Sequence, residues 1–158
     1  MADEGMERIE AWAGALLARL DPGQRRALAR RLGIALRRSQ SQRIGAQQNP
    51  DGSAYEPRKE RPRLREQRGR VRRQAGAMMR KLRQARLLKV DASAEQVAVG
   101  YASAAVARVG RVHQGGLRDR VERKRGAPEV TYPKRVLLGF TEADSGTIMD
   151  MILEQLQA

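Results

Sequence analysis

A chain of 158 residues with a net charge of +14 has room for one folded domain, and its five aromatic residues require a core built mainly from aliphatic side chains. It contains no cysteine, which excludes disulfides and thiolate metal sites. The opening Met1-Ala2-Asp3-Glu4-Gly5 carries acid where a secretory signal needs base, and the apolar stretch Ala11 to Leu17 is too short to span a bilayer; a soluble chain with no signal peptide and no membrane contact is expected.

In chain order, Ile9, Trp12, Ala13, Leu16, Leu17 and Leu20 recur at three- and four-residue steps and predict a first amphipathic helix over about 3–20. Asp21-Pro22-Gly23-Gln24 offers a cap, a proline for the first helical position and a capping-box glutamine. A second helix should follow to about Ile44, with Leu28, Leu32, Ala35, Leu36 and Ser39 inward. The two are expected to form an antiparallel hairpin. Asn49-Pro50-Asp51-Gly52-Ser53 is turn chemistry, and the prolines beyond it predict a long exposed loop over 47–65. Val71, Ala75, Met78, Met79, Leu82 and Ala85 predict a third helix from about Gly69 to Gln84, dense in arginine on its outer face.

The period then shortens. Residues 86–90 and 96–101 read as strands of an antiparallel hairpin. Ser103 to Gln114 reads as a short helix closed by Gly115-Gly116, and Leu117 to Ala127 as a charged loop. Glu129 to Tyr132 and Arg135 to Leu138 are strand candidates around Pro133, whose missing N–H suits an edge or bulge. Thr141-Glu142-Ala143-Asp144 caps a last helix with Ile148, Met151, Ile152, Gln155 and Leu156 towards the core. The expected fold is α+β: an N-terminal helical hairpin, a long loop and basic helix, then a small, mainly antiparallel sheet with a short helix and a C-terminal helix. The whole of 1–158 reads as one domain, divided into a hairpin over 1–46, an extended loop over 47–65 and an α+β core over 66–158.

Charge is concentrated rather than spread. Arg58 to Lys89 holds 14 basic and two acidic residues, and Pro22 to Pro50 holds seven arginines and no acid, whereas 90–158 is balanced. Unneutralised like charge opposes compaction, so such a run implies a polyanionic neighbour, either nucleic acid or an acidic protein surface. Arg58, Lys59, Arg61, Arg63, Arg65, Arg68, Arg70, Arg72 and Arg73 are the candidate partner or DNA contacts. Asn49, Pro50, Asp51, Gly52 and Tyr55 are candidate interface residues of the loop.

Catalytic patterns are weak. His113 is the single histidine, so two-histidine metal motifs cannot form within one chain, and its position suits the last carbonyls of a helix. Glu122-Arg123-Lys124 has the E-x-K form of a metal-dependent nuclease, with Asp91 or Asp119 as a second carboxylate, but it falls in a charged loop where chance supplies such a triplet. No phosphate-binding loop, dinucleotide fingerprint or nucleophile elbow occurs. The basic segments lack interleaved aromatics, so any nucleic acid would be held through phosphate without sequence reading. No enzyme, metal or cofactor is expected.

Three stretches together resemble the phage virion morphogenesis (tail completion) family of contractile-tailed phages. The first is Arg37-Arg38-Ser39-Gln40 through Ile44 to Gln47-Gln48-Asn49-Pro50-Asp51-Gly52-Ser53, then Tyr55 and Pro57-Arg58-Lys59. The second is Arg108-Val109-Gly110-Arg111-Val112-His113-Gln114-Gly115-Gly116-Leu117-Arg118-Asp119. The third is Tyr132-Pro133-Lys134-Arg135-Val136-Leu137-Leu138-Gly139-Phe140-Thr141. Gly116 departs from the pattern, at a position where an aromatic is common. The resemblance implies a structural protein at the head-proximal end of the tail, made in the host cytoplasm, which completes the tail and helps join it to the head. It further implies tail and neck proteins as partners, a homo-oligomeric ring of sixfold symmetry, and possible non-specific contact with phage DNA. The alternative reading of the residues is a sequence-independent nucleic-acid-binding protein.

Overall fold

The computed structural model describes residues 18–58, 77–121 and 124–157, together with Glu7, Arg8, Ala11, Trp12 and Gly14. Its frame is helix α1 (Pro22–Ala46). The entry follows the expected chemistry: the Asp21 carboxylate accepts from the Gln24 amide at 2.9 Å, and the Gln24 side chain accepts from the Asp21 amide at 3.0 Å. The exit is Gln47, in the left-handed region at φ 61°, whose N–H reaches back to the Arg43 and Ile44 carbonyls. The buried face carries Leu28, Ala29, Leu32, Gly33, Leu36, Gln40, Arg43 and Ile44, so Ala35 and Ser39, expected inside, lie at its margin and are half-buried.

Three elements dress this helix. Strands β1 (Leu88–Ala92) and β2 (Val97–Tyr101) form an antiparallel hairpin with Val90 opposite Val99. The hairpin lies so close to α1 that a Cβ on Gly33 would run into the Val90 side chain and stand 2.9 Å from Val97. Helix α2 (Ala104–Gly115), capped by Ser103, meets β2 where Gly110 faces the Tyr101 ring. Helix α3 (Glu142–Gln157) packs along the N-terminal half of α1, burying Ile152 against Leu28 and Leu32, with Leu20, Ile148, Met151 and Leu156 around them. A second cluster, Ile44, Tyr55, Met78, Leu82 and Leu137, fills the other end of α1. The last helix is capped as its sequence predicts: Thr141 Oγ1 accepts from the Asp144 amide at 3.0 Å, and the Asp144 carboxylate accepts from the Thr141 amide at 2.9 Å.

The α+β class, the β-hairpin over 88–101 and the last two helices therefore match expectation, and four details differ. Residues 77–84 are turns, not the end of a helix; Leu82 N–H bonds to Met79 and Gln84 N–H to Lys81, three residues back, and Met79 sits at φ 61°. The Gln47 amide causes this by clamping Met78, donating to its carbonyl at 3.0 Å and accepting from its N–H at 2.6 Å. The remainder of that predicted helix, 69–76, lies outside the described residues. Glu129–Thr131 (β4) pairs not with 135–138 but with Arg118–Arg120 (β3), inside the stretch read as loop. Glu129 lies opposite Arg120 and forms ion pairs with Arg118 at 3.1 Å and Arg120 at 3.7 Å.

The exposed loop expected over 47–65 begins as a tight reversal closed by a Gln48–Ala54 bridge, with Tyr55 4 % exposed in the core. The proposed first helix is seen at Glu7, Arg8, Ala11, Trp12 and Gly14, which are helical, but Trp12 is 37 % exposed instead of buried. The other members of its stripe before Ala18 lie outside the described residues.

Candidate assembly site

Residues 135–139 have no strand partner, yet each of their N–H groups and the carbonyls of 136–139 are hydrogen-bonded. Asn49 Oδ1 accepts from the Val136 amide at 2.8 Å. Gln114 Oε1 accepts from Leu137 and Leu138 at 2.7 and 3.0 Å, while its Nε2 donates to the Leu138 carbonyl at 2.6 Å. Gln40 does the same one residue on, donating to Gly139 O at 2.7 Å and accepting from Gly139 N at 3.2 Å. The Arg135 amide bonds to the His113 carbonyl at 2.7 Å. Side-chain amides thus replace the ladder that Pro133, with no N–H, would have interrupted.

Two buried guanidinium groups complete the arrangement. Arg43, 8 % exposed, donates to the carbonyls of Val136 (2.9 Å), Leu137 (3.1 Å), Gly139 (3.3 Å) and Gln48 (3.4 Å), and to the Gln40 side chain. Arg135, 3 % exposed, donates to Glu56 O at 2.8 Å and Pro57 O at 3.2 Å, and Nη1 lies 3.4 Å from His113 Nδ1. Among the described residues neither forms an ion pair, and burial lowers the pKa of each. Carbonyl oxygens make the direct contacts to both charges, Asp144 and Glu56 acting on them only at longer range, and Arg43 Nε is left without a partner. Arginine suits the task because one planar group serves several acceptors at fixed angles.

His113 is half-buried, edge-on to Tyr132 with ring centroids 5.0 Å apart. Since arginine can only donate, Nδ1 accepts and the ring is neutral. Burial, then the charges of Arg135 and Arg58, push its pKa down to about 4. The histidine expected near the last carbonyls of a helix is thus in the last turn of α2, neutral and packed on Tyr132. The helix instead ends on Gly116, at φ 64°, where a Cβ would press to 3.1 Å on the Lys134 backbone; the departure from the family pattern falls where a left-handed glycine fits.

The three stretches singled out in the sequence thus meet in one place: Gln40, Arg43, Asn49 and Tyr55 from the first, His113 and Gln114 from the second, and 135–139 from the third. Of the candidate interface residues, Tyr55 is a core residue whose hydroxyl donates to Val136 O at 3.2 Å, and Asn49 and Pro50 are half-buried. Asp51 and Gly52 stand exposed at the tip, the Asp51 carboxylate accepting from the Ser53 amide at 2.9 Å. Of the candidate basic contacts, Arg58 is exposed, immediately beyond the carbonyls that Arg135 grips. Lys59, Arg61, Arg63, Arg65, Arg68, Arg70, Arg72 and Arg73 lie outside the described residues, as does most of the E-x-K triplet. Asp119, its possible partner, is instead paired with Arg108. Among the described residues no three potential metal ligands cluster, and no helix is long and apolar enough to cross a membrane.

Gln40, Arg43, Gln114 and Arg135 were not singled out as a set. Periodicity held the signal for two of them: Gln40 and Arg43 fall four and seven residues after Leu36, on the buried stripe.

Comparison with known proteins extends this picture over the whole chain. Residues 5–157 match the phage virion morphogenesis family. The chain is 36% identical over 151 residues to tail completion protein S of Escherichia phage P2, covering 96% of this chain and 97% of that one. No solved structure matches. With the match spanning the helical frame, the polar junction and the last helix alike, the chain belongs to the phage virion morphogenesis family.

Proposed function

We propose that this protein is a structural component of tail assembly that completes the tail at its head-proximal end and helps join it to the head, acting as an oligomeric ring in the virion. The observation that carries the reading is the near full-length relationship to a tail completion protein. The architecture is in keeping with it, because the best-built polar region spends its side chains on fixing the backbone of 135–139. Arg135 holds Glu56 and Pro57 immediately before the most basic segment, so Arg58 leaves the fold from a fixed base. That segment is the contact to neighbouring tail or neck proteins or to the DNA that passes them. Exposed charges contribute little to folding but can dominate association.

The experiment is complementation. A phage lacking this chain should accumulate DNA-filled heads and unjoined tails, and purified protein added to the lysate should restore infective particles. Restoration should fail when Arg70, Arg72 and Arg73 are all changed to Glu, with helical content near wild type. Normal particle yield without the protein would refute the role. Full restoration by the triple variant would remove the basic segment from it.

A further inference from the structure

Helix α1 presents a second face that the folded subunit leaves open. Ile34, Ala35, Arg38, Ser39 and Gln42 recur along it at three- and four-residue steps, and Met151 of α3 closes one side, with Arg31 at the end. Ile34 is 49 % exposed, the most exposed large apolar residue described. No acid occurs anywhere in α1. Arg31 already reaches Glu154 of α3 at 2.6 Å, which sets its charge at the groove's rim. The face is therefore an apolar floor with basic edges, spaced to accept a helix lying alongside.

The chain itself carries a helix of complementary character. Residues 1–21 hold five acids and two arginines, and Ile9, Trp12, Ala13, Leu16 and Leu17 have the sequence spacing of one apolar helical stripe. Its described members Glu7, Arg8, Ala11, Trp12 and Gly14 are exposed, and no neighbouring atom comes within 4 Å of where a Gly14 Cβ would stand. Trp12, the one described member of the stripe, is 37 % exposed and does not line the groove.

We infer that the groove of Ile34, Ala35, Arg38 and Met151 receives the N-terminal helix of a second copy of this chain, and that this exchange links neighbouring subunits. The inference rests on the oligomeric reading above. Burial of Trp12 and Ile34 supplies the attraction; acids at the start of the helix facing Arg31 and Arg38 set its direction.

The absence of cysteine makes the test clean. Full-length Trp12→Cys and Ile34→Cys proteins, each carrying one thiol, are mixed and mildly oxidised. A disulfide joining the two different chains is expected. In sedimentation, Ile34→Asp should weaken self-association at least roughly tenfold with its helical content unchanged, because a side chain exposed in the subunit is altered. An Ile34→Asp protein that assembles like wild type would overturn the groove assignment and leave the oligomer standing. A wild-type chain that stays monomeric at every concentration, while still restoring lysates, would overturn both. If mixing gives no cross-link and the doubly substituted chain closes a disulfide within itself, the helix belongs to its own subunit and the exchange is refuted. Cross-linking of Ile34→Cys to a different tail protein alone would refute it equally.

Discussion

Replacing Gln114 with alanine tests the claim that side-chain amides stand in for a missing strand. Its carboxamide makes three hydrogen bonds to backbone at 2.6–3.0 Å, two to the amides of Leu137 and Leu138 and one to the Leu138 carbonyl. At about 1 kcal/mol net for each bond, the loss comes to about 3 kcal/mol, since no other partner is placed to take over. For a domain of this size each kcal/mol shifts the midpoint by about 2–4 °C, so the melting temperature should fall by about 6–12 °C. Thermal unfolding followed by circular dichroism gives the magnitude, and amide exchange gives the cause. Leu137 and Leu138 should lose protection first, while Val90 and Val99 in the hairpin keep theirs. Gln114→Glu retains the acceptor, so it should leave those two amides protected although the Leu138 carbonyl loses its donor. A Gln114→Ala protein melting within about 2 °C of wild type, with unchanged exchange at 137 and 138, would refute the reasoning.

Ile152→Ala should cost about 2–5 kcal/mol, because the side chain is buried between α1 and α3 and leaves a cavity; denaturant midpoints check this. Thr141→Ala, which removes one half of a reciprocal cap, should cost about 1 kcal/mol by the same measurement. His113 has a folded pKa of about 4, below the ordinary 6.5, so the unfolded chain binds its proton first as pH falls. Its share of stability should be intact above about pH 6.5 and lost progressively towards pH 4, and His113→Gln should flatten that part of the stability profile. Gly33→Ala should destabilise by about 1–3 kcal/mol, seen in thermal unfolding, because its Cβ must displace the hairpin at Val90 and Val97.

Local chemistry was legible in the sequence wherever one element decided the outcome. The cap at Asp21, the cap at Thr141, the valine-rich hairpin and the closure of α2 at glycine each depend on residues within a few positions of one another. The failures share the opposite property. Met78 and Leu82 have helical spacing and are indeed buried, but whether 77–84 winds as a helix is decided by Gln47, thirty-one residues away in sequence from the backbone it clamps. Residues 135–138 alternate like a strand, and their donors are claimed by Asn49 and Gln114 before any ladder can form. Tyr55 looked like part of an exposed loop because prolines and charges surround it, yet the Gln48–Ala54 bridge turns its ring into the core. In the candidate site, the arginines had been read by number and density. What separates the structural ones, Arg43 and Arg135, is their register on buried segments.

That separation bears on how a chain so basic can fold at all. Arg43 and Arg135 are placed where carbonyls from distant segments must converge to solvate them: Gln48, Val136, Leu137 and Gly139 around one, and Glu56 and Pro57 around the other. Such charges cost desolvation energy, and an apolar pair could be more stable. Their return is geometric. Arg43 Nε is already unfilled, and an alternative packing of 47–57 against 135–139 would strip the Nη donors as well, a penalty that a shifted leucine would not incur. The junction therefore fixes where the chain leaves the fold after Pro57, while among the described exposed arginines Arg31, Arg108, Arg118 and Arg120 are held by surface ion pairs. The division is one of environment: the two arginines that hold the frame take carbonyl partners inside, whereas the surface arginines that are paired take carboxylates.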